Sequence, residues 1–169
     1  MKRLNALLSA LILAFLASAC APKMIPGTNI EDTEDARELM DVMRTYTAAL
    51  EARDTETILG LTSKDFFETS GTVEGEDDFD RAGLEERLKS WFEHFHAIRS
   101  RIEVRKITYD TDPDGNVLKA HVAYFYDISF QVPEGNGSSK LVWQTESDTK
   151  EMCLQREGDD KLWRILYGI

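Results

Sequence analysis

The run VLKAHVAYFYDISFQV, Val117 to Val132, constrains this chain most. Ala120, Val122, Tyr124, Tyr126, Ile128 and Phe130 recur at every second position, with Lys119, His121, Asp127 and Gln131 between them. Side chains alternate across a strand, so this period predicts one long strand with a single buried face. Such a strand needs neighbours, and the flanking sequence supplies them. RIEVRKITYD reads as a preceding strand in which adjacent Arg105 and Lys106 break the alternation, the mark of a bulge. Asn136-Gly137 is a hairpin turn, KLVWQTESDTKEMCLQR returns, EGDDK turns again, and LWRILYGI closes the sheet.

Upstream the period changes. Ala36, Leu39, Met40, Met43, Tyr46, Thr47 and Leu50 repeat at three and four, so residues after an Asp32 or Thr33 cap form a helix with one buried face. Asp54 restarts a short helix through Ile58, Leu59 and Leu61, and KDFFETSGTV reads as a short strand. Asp80 caps a third helix whose stripe is Leu84, Leu88, Trp91, Phe92, Phe95 and Ile98. Three helices followed by an antiparallel meander give an α+β class, with the helices on one sheet face.

The front of the chain is of another kind. Met1-Lys2-Arg3 is basic, Leu4 to Leu16 is almost wholly apolar, and Ala17, Ser18 and Ala19 lead into Cys20. That is the layout of a secretory signal over residues 1–19, and the uncharged segment falls short of the about 20 apolar residues a spanning helix needs. Small residues running into a cysteine resemble the lipobox of bacterial lipoproteins, although Ala17 stands where that pattern usually has Leu. The resemblance implies an acylated Cys20 anchored in the cell envelope. Ala21 after the cysteine favours the outer membrane, facing the periplasm. Residues 20–32, with Pro22, Pro26 and Gly27, then read as the lipidated cysteine and a flexible tether, and residues 33–169 as one domain.

Charge narrows the partners. The formal net charge is −11, and loss of Lys2 and Arg3 with the signal deepens it by two. Nucleic acid and anionic lipid are bound by clustered Lys and Arg, so neither is an expected partner. With Cys20 acylated, Cys153 has no cysteine to pair with, and its setting between Met152 and Leu154 is that of a small core residue.

The order of elements, and in particular YTAALEARDTETILGLTSKDFFETSGT and REGDDKLWRILY, resembles the nuclear transport factor 2-like superfamily over residues 33–169. That superfamily includes ketosteroid isomerases and SnoaL-like polyketide cyclases. The resemblance implies a cone-shaped curved sheet wrapped on three N-terminal helices, with a cavity at its mouth. Tyr46, Phe66, Trp91, Phe95, Tyr124, Tyr126, Trp143 and Trp163 are the aromatic residues expected to line it. Rings at helical spacing fill cores more often than they line sites, so each also has a plain packing role.

Catalytic groups are harder to place. Ketosteroid isomerases use an aspartate base with a tyrosine and a protonated aspartate, and this set does not map onto the chain. The core-facing side of Val117–Val132 carries tyrosines and no acid, while Asp127 and His121 fall on the other face. Asp110, Asp112, Asp114 and Gly115 match the start of a calcium loop, but His121 stands where the bidentate glutamate belongs, and strands flank it. DTDPDGNV therefore reads first as a turn, with weak calcium binding second. His94 and His96 point to different sides of a helix and cannot share one ion. No metal or cofactor is expected. The reading is a noncatalytic envelope lipoprotein that binds a small apolar ligand, a second copy or an envelope protein. The alternative is an isomerase- or cyclase-like enzyme working in the cone. The mixed outer face of Lys119, His121, Phe125, Asp127 and Gln131 argues against a large dry dimer interface.

Overall fold

Capping and alternation set the order of elements in the computed structural model, which describes residues 22–69, 77–135 and 139–169. Thr33 caps the first helix, α1 (Glu34–Ala52), its hydroxyl accepting from the Ala36 amide at 3.1 Å. Asp54 caps α2 (Thr55–Leu61) and Asp80 caps α3 (Arg81–His94), each carboxylate accepting amides of the first turn as an N-cap must. Between α2 and α3 a small ladder joins β1 (Phe67–Glu68) to β2 (Phe79–Asp80). The remainder is an antiparallel meander of β3 (Ile98–Thr111), β4 (Val117–Pro133), β5 (Leu141–Glu157) and β6 (Leu162–Tyr167), adjacent in chain order.

The expected bulge is present. Pairing of β3 with β4 slips by one residue between Val104 and Lys106. DTDPDGNV is the expected turn, because Asp112 accepts the amides of Asp114 at 2.9 Å and Asn116 at 2.8 Å, and Gly115 takes a positive φ of 85°. The signal, Cys20 and the Asn136-Gly137 hairpin residues lie outside the described residues, as does Ser70–Val73 of the expected first strand. Part of the expected tether packs on the domain. Met24 bridges Glu31, Ile30 is buried, and Asp32 pairs with Lys23 at 2.7 Å and with Arg37. Among the described residues no helix is long and apolar enough to cross a membrane.

The inner face of β4 carries the core. Ala120, Val122, Tyr124 and Tyr126 are buried under Leu39, Met43, Tyr46 and Leu50 of α1, with Met152, Leu154, Trp163 and Ile165 from the next two strands. Burial of each large side chain contributes about 1.5–3 kcal/mol, so this seam anchors the helices to the sheet. Three polar contacts fix one end of it. The Ser100 amide donates to Glu51 Oε1 at 2.7 Å, and Arg53 donates to the carbonyls of Phe92 and Phe95. One expected stripe is shorter than its sequence implies. α3 ends at His94, Phe95 takes an extended cap conformation, and Ile98 already opens β3, because the alternation of β3 outweighs helical spacing there.

The outer face is laced with charge. His121 on β4 lies between Asp110 on β3 and Glu151 on β5, with 3.1 Å from each ring nitrogen to a carboxylate. It faces Cys153 across the ladder, and Cys153 in turn faces Tyr167 on β6. The Asp110 and then the Glu151 hydrogen bonds raise the His121 pKa against partial burial. A raised folded value means this stabilisation is complete below the ordinary histidine value of about 6.5 and fades as pH climbs through the folded value. His121→Gln is therefore expected to lower Tm by on the order of 3 °C at pH 6 and by less at pH 8.5. A thermal melt series across that range checks it. An unchanging gap contradicts it.

Candidate functional site

At the end of the sheet where α3 stops, the helices do not fully cover β4. A cavity of about 290 Å³ remains there. Its deep end is made by Tyr46 and Leu50 of α1, Ile102 of β3 and Tyr124 of β4. Trp91, Phe92 and Phe95 close one side, while Ile128 and Phe130 continue the β4 face towards the mouth. Phe95 stacks on Phe130 with ring centroids 4.3 Å apart.

Polar groups enter from β5 and from the segment after β6. Tyr126 donates its phenol to Glu146 Oε1 at 3.0 Å. Lys150 Nζ stands 5.6 Å from the centroid of the Tyr126 ring and donates to the Ile169 backbone oxygen at 3.3 Å. Tyr124 donates to the Gly168 carbonyl at 2.8 Å, and Glu68 Oε2 accepts the Gly168 and Ile169 amides at 2.6 and 3.2 Å. Burial pushes all three tyrosines above the ordinary phenol value. For Tyr126 the rise is to about 12, with the Glu146 bond and the Glu146 and Asp148 charges adding to burial.

The sequence candidates separate into two groups. Tyr46, Trp91, Phe95, Tyr124 and Tyr126 meet at the cavity. Phe66, Trp143 and Trp163 are corrections to the expected lining. Phe66 is buried against Phe79, with ring centroids 6.1 Å apart, because it precedes β1 and is enclosed in the core. Trp163 sits at the other end of the sheet, under the Arg156 guanidinium that reaches Asp35 and Glu38 of α1. Trp143 has the wrong parity. It pairs with outward Gln131, is 43% exposed, and lies under the Arg99 guanidinium. Glu146 and Lys150 lie outside the aromatic set read from the sequence. Counting back by twos from buried Met152 and Leu154 puts both on the core side, and that alternation was the available signal.

Neither a family model nor a curated protein sequence matches this chain. Solved structures do. A conserved protein from Planctomyces limnophilus superposes with a TM-score of 0.62 at 12% identity, over 79% of this chain and 92% of that one. A member of the NTF2-like family from Streptomyces avermitilis gives 0.59 at 12% identity, over 79% and 93%. The domain has the nuclear transport factor 2-like fold. A ketosteroid isomerase-like protein from Erwinia carotovora shares that fold with a TM-score of 0.60 at 14% identity, over 80% of this chain and 94% of the other. At such identities the likeness fixes architecture and carries no chemistry, since one fold serves many functions.

What this nuclear transport factor 2-like cavity can do follows from its lining. The walls are mostly rings and aliphatic side chains, and the charged side chains of the lining are Glu146 and Lys150. Apolar matter is drawn in by burial, and the polar edge orients whatever enters. Among the described lining residues, Glu146 is the one with a side-chain carboxylate, and that side chain is exposed at the mouth.

Proposed function

We propose that this chain is a cell-envelope lipoprotein, lipid-anchored through Cys20, whose nuclear transport factor 2-like domain holds one small apolar molecule without transforming it. The observation that carries this reading is the ring-lined cavity beside Tyr46, Tyr124 and Tyr126. Its volume of about 290 Å³ is near the lower limit of small-molecule sites, so a compact occupant fits. The enzymatic alternative, isomerase- or cyclase-like, would route a proton through Tyr126 and Glu146. Glu146, the carboxylate that accepts from Tyr126, is exposed, whereas general acid–base work relies on groups whose surroundings tune them. The anchor rests on the lipobox resemblance around Cys20, in an outer membrane facing the periplasm.

Native mass spectrometry of the protein extracted from membranes in mild detergent tests the reading. The expected spectrum shows the acylated chain carrying one retained small apolar molecule. Cys20→Ala is expected to leave the membrane fraction or to stall as an unprocessed precursor. A wild-type spectrum of bare protein that also takes up no added apolar probe overturns the cavity reading. A Cys20→Ala variant that is processed to the mature length and still stays membrane-bound like the wild type overturns the anchor.

A further inference from the structure

The charges at the cavity mouth are unevenly divided. Glu146 lines the mouth, and Asp148 is paired with Tyr126 across the β4–β5 ladder. Their charges both bear on the Tyr126 phenol. The single cation among the described lining residues, Lys150, has placed its ammonium over the Tyr126 ring at 5.6 Å. A ring face attracts a cation through its quadrupole, most of all where water is scarce, and a nearby carboxylate adds to the pull. The protein thus sets an ammonium of its own over the ring of Tyr126, the tyrosine whose phenol Glu146 accepts.

Resting on the cavity reading above, we infer that the molecule held there is an amphiphilic organic cation, with a compact apolar body between Tyr46, Tyr124 and Ile102 and an ammonium at the Tyr126–Glu146 edge. Lys150 is the internal stand-in for that ammonium. Its side chain is exposed, and its bond to the Ile169 backbone oxygen is long at 3.3 Å, so it can swing outward when a ligand takes its place. The chain's net charge of −11 draws cations towards the protein and repels anions. A carboxylate-headed ligand would instead place its charge against Glu146 and Asp148, with Lys150 alone in its favour.

Three probes with one naphthalene body separate the outcomes: 1-naphthylmethylammonium, 1-naphthalenemethanol and 1-naphthoate, titrated calorimetrically at pH 7 and low salt. The ammonium is expected to bind about fivefold more tightly than the alcohol, and the naphthoate most weakly. Glu146→Gln keeps an acceptor for the Tyr126 phenol and removes the charge, so the ammonium-to-alcohol affinity ratio is expected to fall by about fivefold. Lys150→Gln is expected to raise the same ratio by about threefold, since it removes the internal competitor. Alcohol binding with naphthoate as tight as the ammonium, or with both ratios unmoved, overturns the cation inference while the cavity reading stands. If none of the three binds, the cavity reading fails first and the inference with it.

Discussion

Gly168→Ala is expected to lower Tm by roughly 10 °C, corresponding to about 3 kcal/mol or more for a domain of this size. Two effects act together. Gly168 has φ of 94°, where an L side chain is strained. A Cβ there would also stand 2.1 Å from the Glu151 carbonyl oxygen and 2.7 Å from the Met152 Cα, both fixed backbone of β5. Neither neighbour can yield without breaking the ladder to β4. The segment after β6 would have to lift, taking with it the Tyr124 bond to the Gly168 carbonyl and the two amides held by Glu68. Gly60→Ala is the matched control, since a Cβ there meets nothing within 4 Å and its residue lies in helix α2. A Gly168→Ala melt within about 3 °C of wild type would contradict the packing of that segment.

Much of the architecture was legible because its signals are local. The alternation of Val117–Val132, the caps at Thr33, Asp54 and Asp80, and the phase break at Arg105-Lys106 each report a short-range preference that the tertiary structure keeps. The site was legible only in part. Tyr46, Tyr124 and Tyr126 could be placed because helix and strand periods both point them at the core. Trp143 misled because an indole in a strand attracts a core assignment, while parity alone turns it outward under Arg99. Trp163 and Phe66 are core, as read, and at the wrong end or in the wrong layer for the cavity. Which stretch of a buried face the helices leave uncovered depends on where α3 stops, and no residue pattern near His94 states that length. Glu146 and Lys150 were hidden by composition. A run of exposed polar residues reads as a solvated strand end, yet half of it extends the inner face of the sheet beyond the helices.

The cavity itself is expected to close when Ile128 is replaced by tryptophan. Ile128 lies on the inner face of β4 between Tyr126 and Phe130 and directly across the ladder from Glu146. An indole there projects into the space that a ligand body would occupy, between the Phe95–Phe130 stack and the Tyr126 ring. Because the added volume enters a void and not a packed core, the cost to stability is expected to stay below about 1.5 kcal/mol. Circular dichroism and an unchanged melting transition would show that the fold persists. Affinity for an apolar molecule is expected to drop by at least about tenfold, a loss of about 1.4 kcal/mol.

Titration of Prodan, a compact neutral naphthalene dye, into wild type and Ile128→Trp is the most direct measurement of whether this cavity binds. Wild type is predicted to show saturable, blue-shifted fluorescence fitting a single site. The variant is predicted to show no saturable signal over the same range. Equal saturable binding by both proteins, or none by wild type, would contradict the account.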